Sequence, residues 1–358
     1  MGSETKNPPE STQLGGAELS EGSNANMHPE RVARLGECKK RSRQMGRYLY
    51  RTSAGSHPAE VERLTNLSTT VLTCASYLVF NNYYTVDQIK LAKITTCKKH
   101  LLCPVCARLR AAKQVGKYAE RVQILKDQNP KLQLALLTLT VKNGDDLKER
   151  FQHLTQSWKK YQSKRRDWLK KGRGFNELCK IDGAVFSYEV TNKGNGWHPH
   201  LHAVVSLTDW IDQAQLSAEW EKITGDSKIV DVRRIKGDPV EGFLEVFKYA
   251  LKFSELDLDL NFQAYETLRG KRLQGSFGNF RGVIVPENLT DELLDDLPFI
   301  EMFYKFMPAI GAYDLKETKH KSSAVGEAQE ERRASHNEPR TGSKEAEGVP
   351  AATTTTNP

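Results

Sequence analysis

The feature that most constrains this chain is a cluster of three histidines at the start of an apolar segment. His198, His200 and His202 lie within five residues, and residues 201–207 are apolar and partly β-branched. Such a segment is typical of a buried strand. Successive side chains of a strand point to opposite faces, so His200 and His202 project from one face, about 7 Å apart. This arrangement predicts a site for one divalent metal ion.

A carboxylate in the preceding strand is the candidate third ligand. Residues 181–191 have the pattern of a strand, and residues 192–196 that of a hairpin turn. The turn would place Glu189 across from the histidines, and a carboxylate in an apolar strand has to be exposed, paired or bound to a metal. The ligands alone would accept Mg²⁺, Mn²⁺ or Zn²⁺, and phosphate chemistry favours Mg²⁺ or Mn²⁺. His198 is left outside this ligand set.

The charge of the chain indicates a polyanionic partner. Its 358 residues carry a net charge of +8 with a pI of about 9.0, as expected of a nucleic-acid-binding protein. Lysines and arginines crowd residues 159–173, interleaved with aromatic residues, as on a solvated helix face or a surface for single-stranded nucleic acid. No segment approaches the roughly 20 apolar residues of a membrane span, and no secretory signal is evident. We therefore expect a cytoplasmic protein.

The pattern of elements predicts an α+β fold with an antiparallel sheet flanked by helices and a small cysteine-rich zinc subregion. We expect a disordered tail over 1–50, a helical and zinc-binding subregion over 55–128, a larger α+β domain over 129–315 and a disordered tail over 316–358. Helices are predicted at 57–80, 105–128, 145–171, 213–223 and 239–254, and strands at 132–141, 181–191, 201–207 and 229–235.

The cysteines predict a structural zinc site. Cys97, Cys103 and Cys106 have a spacing typical of zinc knuckles, and a reducing compartment favours thiols over disulfides. The fourth ligand is either His100, which is nearest in the sequence, or Cys74.

A third pattern joins a glutamate and a tyrosine on one helix. Glu245 and Tyr249 are four residues apart and share a face, with Lys252 one turn further on. From spacing alone, a surface glutamate beside a half-buried tyrosine is the commoner explanation.

Together these segments resemble the replication initiator (Rep) proteins of small rolling-circle plasmids, within the His-hydrophobic-His (HUH) endonuclease superfamily. Residues 136–141 resemble the first motif strand, 198–202 the metal-binding motif and 245–252 the tyrosine motif. The cysteine segment and residues 268–272 are also similar, and Cys74 resembles a recurrent upstream cysteine, which favours it as the fourth zinc ligand. The resemblance covers about residues 60–285 and implies that residues 129–315 form an HUH endonuclease domain.

The resemblance implies a metal-dependent enzyme that nicks one strand of the plasmid's double-strand origin. Tyr249 would be the nucleophile, leaving a 5′-phosphotyrosyl link and a free 3′-hydroxyl that primes synthesis. Its phenol should lie beside the Mg²⁺ or Mn²⁺ ion on His200, His202 and Glu189. Glu245 would activate water at termination, and Lys252 would add positive charge. The implied partners are origin DNA, with host helicase and polymerase.

Two other functional classes fit parts of the pattern. A conjugative relaxase or a single-tyrosine transposase would cut DNA with the same motifs. A non-catalytic zinc-binding nucleic-acid protein would use the cysteines and the basic helices, with structural histidines.

Overall fold

The part of the chain that the structure describes combines helices with antiparallel strands. The structure, a computed structural model, describes residues 27–55 and 57–322. The α-helices there are α1 (His28–Ser53), α2 (Pro58–Thr73), α3 (Pro104–Gln128), α4 (Leu147–Lys171), α5 (Gln213–Thr224), α6 (Val240–Phe247), α7 (Tyr249–Lys252) and α8 (Leu258–Leu268). The strands are β1 (Tyr77–Tyr83), β2 (Gln88–Ile94), β3 (Gln133–Thr140), β4 (Ile181–Asn192), β5 (Trp197–Leu207), β6 (Val230–Arg234), β7 (Gln274–Phe277), β8 (Phe299–Met307) and β9 (Ala312–Lys321). None of these helices is long and apolar enough to cross a membrane.

The larger sheet has five antiparallel strands in the order β6-β3-β5-β4-β7. One face packs on α3 and α6, where Val204 contacts a cluster that includes Phe243. The other face packs on α4 and α5, where Leu139 and Leu201 belong to the cluster of Phe151. Because both faces are buried, β3 and β5 are largely apolar and do not simply alternate. The predicted α+β fold, an antiparallel sheet flanked by helices, is confirmed.

Helix α4 begins and ends where its sequence requires, close to the predicted span 145–171. The side chain of Asp146 accepts hydrogen bonds from the backbone N–H groups of Lys148 and Glu149, which have no partner within the helix. The helix ends at Gly172, whose φ of +67° is a left-handed conformation that glycine adopts at little cost.

A second sheet, in the order β2-β1-β8-β9, has no counterpart in the sequence prediction. It packs against α1 through a shared apolar cluster that includes Val32, Leu35, Leu78, Phe80 and Met302. The predicted helix over 57–80 is wrong in its last third, since α2 ends at Thr73 and β1 begins at Tyr77. The helix cannot continue through Ala75, whose φ is +52°.

The predicted disordered tail over 1–50 is contradicted by helix α1. Four apolar residues of α1 are buried at helical spacing: Val32, Leu35, Met45 and Leu49. Each such side chain removed from water contributes about 1.5–3 kcal/mol, which offsets the entropy of ordering the segment. The rest of that predicted tail, residues 1–26, lies outside the described residues.

The C-terminal boundary also differs from the prediction at residue 316. Strand β9 continues to Lys321 because it pairs along its length with β8. The remainder of the predicted tail, residues 323–358, lies outside the described residues.

The predicted helix over 239–254 is interrupted. It divides at Lys248 into α6 and the single turn α7, and a 3₁₀ turn, Phe253–Glu255, follows. Glu245 and Tyr249 therefore lie in successive helical segments.

Candidate active site and cysteine cluster

Strand register brings the three predicted metal ligands together. In the β4–β5 hairpin Glu189 lies directly opposite His200, and on the other side of β5 Thr138 lies opposite His202. Directly opposed residues of antiparallel strands point to the same face, so the two imidazoles and the carboxylate share one face. The turn needs glycine at Gly196, where φ is +81° and a Cβ would lie 2.8 Å from a backbone oxygen of the neighbouring loop.

The distances within this ligand group suit a divalent ion. The carboxylate oxygens of Glu189 lie 3.2 Å from Nε2 of His200 and 3.7 Å from Nε2 of His202. Oε2 of Glu189 is buried and has no hydrogen-bond partner among the described residues. An unsatisfied buried oxygen of this kind is costly, and a cation would satisfy it. A set of one carboxylate and two imidazoles accepts Mg²⁺, Mn²⁺ or Zn²⁺.

Neighbouring groups fix the orientation of both imidazoles. Oγ1 of Thr138 lies 3.1 Å from Nδ1 of His202, and the carbonyl oxygen of His198 lies 3.3 Å from Nδ1 of His200. Each ring thus directs Nε2 toward Glu189. Burial lowers the pKa of His202 to about 4, which keeps its ring in the neutral form that binds metals. Burial opposes ionisation of Glu189, but the hydrogen bond from His200 and the nearby positive charges leave its pKa below the usual value.

An open cleft of about 380 Å³ adjoins the ligand group. Its lining includes Asn143, Glu189, Lys193, His198, His200 and Lys252. The two lysines give the cleft a positive wall beside the carboxylate. His198 therefore contributes to the cleft and is not part of the ligand group.

Helices α6 and α7 cross the sheet beside this cleft. The backbone carbonyl of Val246 accepts a hydrogen bond from Ser187 on β4, which anchors α6 over the ligand-bearing face. Glu245 forms an ion pair with Lys248, and both charges are close enough to His202 to influence its pKa. Lys252 lines the cleft and pairs with Glu255 at 2.9 Å. The helices thus bring Glu245, Lys248 and Lys252 to the ligand group.

The phenol of Tyr249 is hydrogen-bonded to the edge strand β7. Its oxygen accepts a hydrogen bond of 3.0 Å from Nε2 of Gln274, and the residue is 2% exposed. Burial raises the pKa of Tyr249, and the positive charge of Arg110 and the hydrogen bond from Gln274 oppose that shift.

The strand register places the hydrogen-bond partner of Tyr249 away from the imidazoles. Gln274 pairs with Ser187, which pairs with His202, so Gln274 and His202 share a face with one strand between them. Two strand spacings separate the backbones of Gln274 and His202 by about 10 Å. The sequence predicts the phenol beside the ion, and in the structure the phenol oxygen is bonded to Gln274 at the edge strand of the same face.

The predicted zinc cysteines converge on one point. The Sγ atoms of Cys74, Cys97, Cys103 and Cys106 all lie within 4.8 Å of one another, with separations of 3.5–3.6 Å for three pairs. A tetrahedral zinc with Zn–S bonds of about 2.3 Å has S···S edges of about 3.8 Å, so the thiols fit that ion. His100 is not part of this group, and burial lowers its pKa to about 4. All six cysteines of the chain are free thiols.

The charge of the cysteine cluster also suits a cation. Interactions with the thiols of Cys106 and Cys74 hold the pKa of Cys103 well below the usual value, whereas the pKa values of Cys106 and Cys74 are raised. Four buried thiols cannot all ionise together without a compensating positive charge. Helix α1 closes the cluster: Lys39 donates to the carbonyl of Cys74, and Oγ of Ser42 lies 3.2 Å from Sγ of Cys103.

Sequence reasoning missed the groups around the phenol. Nε2 of Gln114 donates to Oε1 of Gln274 at 2.7 Å. This contact orients the Gln274 amide so that its Nε2 donates to the oxygen of Tyr249. Gln274 begins a four-residue polar strand that no sequence pattern distinguishes from a loop. Lys248 could have been found, because it follows Glu245 by three residues and so lies on the same side of a helix.

Comparison with known proteins agrees with these features. A family model described as "Replication protein" matches residues 88–302, which is more than half of the chain. A "Protein rep" of Staphylococcus aureus is 29% identical over 196 residues, covering 51% of this chain and 80% of the relative. A "Protein rep" of Streptococcus pneumoniae serotype 2 is 30% identical over 207 residues, covering 52% of this chain and 61% of the relative. No solved structure matches the chain.

Proposed function

Because the chain belongs to the replication protein family, we propose that it initiates the rolling-circle replication of a plasmid. It would cut one strand at the plasmid's double-strand origin, with Tyr249 as the nucleophile. We expect the cut to be made in the cytoplasm. A host helicase would then unwind the DNA, and a host polymerase would extend the free 3′-hydroxyl.

The main support for this proposal is that the metal-binding motif and the tyrosine motif lie on the same face of the sheet. Glu189, His200 and His202 converge on one face of the sheet. Helices α6 and α7 pack across the same face. They contain Glu245, Tyr249 and Lys252. A metal-binding group beside a tyrosine-bearing helix is what a phosphodiester transesterase needs.

The cutting step is a transesterification. The phenol oxygen of Tyr249 attacks the scissile phosphorus, the bond from phosphorus to the 3′-oxygen breaks, and the phenol proton is lost while the 3′-oxygen gains one. The tyrosine then carries the 5′-phosphate. A divalent ion held by Glu189, His200 and His202 would supply Lewis-acid chemistry that offsets charge on the phosphoryl oxygens. Lys252 on the cleft wall adds positive charge near the same oxygens.

The phenol has to move before it can react. At 2% exposure, and with its oxygen held by Gln274, Tyr249 cannot meet a phosphate in the cleft. We propose that a bound strand favours a second placement in which the phenol leaves Gln274 and turns toward the imidazoles. The segment is suited to this motion because α7 is a single turn between Lys248 and a 3₁₀ turn.

Glu245 would act at the end of the cycle. Its carboxylate is paired with Lys248 and lies near His202. From there it can accept a proton from a water molecule that attacks the regenerated origin, which would release the protein without a second tyrosyl link.

The test uses supercoiled DNA that carries the plasmid's own origin, with Mg²⁺ or Mn²⁺. The wild-type protein should give nicked circles with protein joined to the 5′ end, and Tyr249→Phe, which fills the same space, should give neither. An adduct that persists with Tyr249→Phe would exclude this nucleophile. Absence of cutting by the wild-type protein would favour a non-catalytic zinc-binding nucleic-acid protein. A relaxase or transposase would cut at a transfer origin or a transposon end and leave the replication origin intact.

A further inference from the structure

Helix α1 carries a row of three arginines along its outer side. Arg43, Arg47 and Arg51 follow at intervals of four residues, so successive guanidinium groups lie on one side of the helix, about 6 Å apart along its axis. Arg47 and Arg51 are exposed, and the guanidinium of Arg43 lies 5.9 Å from the ring centre of Phe306. Tyr50, 63% exposed, stands beside the row.

The other cations of α1 hold the fold together. Arg31 pairs with Asp291 at 2.6 Å, Lys39 donates to backbone carbonyls beside the cysteine cluster, and Arg41 donates to the carbonyl of Leu256. Arg34 pairs with Glu30 and Lys40 with Glu37. These cations therefore already have partners within the protein.

The arginine row, in contrast, has no acidic partner among residues 27–55 and 57–322. Among the residues the structure describes, no carboxylate forms an ion pair with Arg43, Arg47 or Arg51. Like charges four residues apart on a helix repel each other. The pKa of Arg43 is lowered by burial and further by the neighbouring Arg47. Within the described part of the chain, no carboxylate therefore offsets the repulsion along the row.

We propose that Arg43, Arg47 and Arg51 bind the phosphate backbone of duplex DNA. This inference rests on the proposed function, which makes origin DNA the ligand of this protein. Guanidinium groups match phosphate geometry with paired hydrogen bonds, and a straight row of them can follow a regular backbone. Contacts of this kind position a protein on DNA without reading its sequence.

Other polyanions fit the row less well. Single strands are bound mainly by stacking on several aromatic side chains, and Tyr50 is the one exposed aromatic side chain among the residues of α1. A membrane-surface helix needs an exposed apolar side, whereas the apolar side of α1 is buried against the second sheet and α2. Helix α1 precedes residues 88–302, so the row lies outside the part of the chain that matches the family model.

The test measures the affinity of the full-length protein for a short synthetic duplex of arbitrary sequence as a function of salt. In the variant Arg43→Gln/Arg47→Gln/Arg51→Gln the salt slope should fall by about 2.7, or 0.9 for each lost phosphate contact. Its affinity at low salt should fall on the order of a hundredfold. The variant with lysine at all three positions keeps the charges and should retain most of the affinity.

A matched control removes the same charge from helix α4. Lys159→Gln/Lys160→Gln/Lys164→Gln changes three exposed helical lysines and should leave duplex affinity within a few-fold of the wild type. Equal losses in both glutamine variants would mean an effect of net charge and would overturn the proposal. Loss of binding to anionic vesicles or RNA, with duplex DNA binding intact, would overturn it as well. Circular dichroism and thermal melting check that each variant is folded.

A second readout separates this inference from the proposed function. Cutting of a short single-stranded oligonucleotide that spans the nick site should be unchanged in the arginine variant, because the row contacts duplex DNA only. If the wild-type protein fails to cut that oligonucleotide, the proposed function fails, while the duplex affinities still decide the role of the row.

Discussion

The oxygen of Tyr249 accepts a hydrogen bond from the side-chain amide of Gln274, and this contact holds the phenol at the edge strand of the sheet. A single neutral hydrogen bond is worth about 1 kcal/mol, or roughly a fivefold change in population. The hydrogen bond is therefore strong enough to favour this position of the phenol and weak enough to break when a DNA strand binds.

Replacing Gln274 with leucine should free the phenol and raise the single-turnover rate of cutting a single-stranded origin oligonucleotide by about fivefold. Gln114→Leu should act in the same direction but more weakly, since Gln114 only orients the Gln274 amide. A rate that falls in both variants would show that Gln274 supports the reactive placement of the phenol.

Replacing Thr138 with valine should weaken Mn²⁺ binding, measured by calorimetry, by about 10- to 100-fold. The hydroxyl of Thr138 orients His202 through Nδ1, and valine preserves the shape while losing that contact. Thr140→Val is the control: its hydroxyl bonds the carbonyl of Ile229 and not a ligand. Equal Mn²⁺ affinities for both variants and the wild type would argue against a metal on His202.

Replacing Glu245 with glutamine should preserve nicking and Mn²⁺ binding but block termination. The expected product is a protein–DNA adduct that accumulates after one round, scored on denaturing gels. Glu255→Gln changes another acidic residue at the cleft, one that pairs with Lys252, and should terminate normally. If Glu245→Gln abolished nicking as well, the division of roles between Glu245 and Tyr249 would be wrong.

Replacing Cys106 with serine should remove about one zinc per chain and lower the melting temperature, because a structural ion binds the folded state only. Metal content is measured by mass spectrometry on the purified protein. Two controls should keep the zinc. Cys38→Ser changes a thiol outside the cluster, and His100→Gln changes the alternative candidate for the fourth ligand. Zinc loss in His100→Gln would make His100 the fourth ligand in place of Cys74.

Stability should fall at acid pH partly through His28. Burial lowers the pKa of this residue to about 4, from 6.5 in an unfolded chain, so the unfolded state binds more protons between these values. The contribution of neutral His28 to the free energy of unfolding is complete above about pH 6.5 and is lost as the pH falls toward 4. His28→Phe keeps the packing on Phe80 and should reduce this loss by about 2 kcal/mol in denaturant titrations. Parallel pH curves for both proteins would contradict the assignment.

The ligand-bearing hairpin was predictable because its signals are local. The alternation of His200 and His202 and the glycine-containing turn place Glu189 in register without any information from the rest of the fold. The family resemblance, which depends on short motifs of this kind, is confirmed by the match to the replication protein family.

The second sheet and the position of the phenol were not predictable in the same way. Tyr77 pairs with Lys305 across most of the chain, and such a pairing leaves no local pattern. The contact between Tyr249 and Gln274 depends on which strand occupies the sheet edge. Helix α1, in contrast, could have been recognised, because Val32, Leu35, Met45 and Leu49 mark one side of a helix.

All three residues of the proposed ion site come from one hairpin. Glu189 and His202 are separated by only 13 positions, whereas Tyr249 follows 47 positions after His202. Replacing the β4–β5 hairpin with the hairpin of a homologue would therefore replace all three proposed ion ligands. Tyr249 and the rest of the chain would stay unchanged. Chimeras of that design would let the choice of metal and the choice of cleavage site be varied independently.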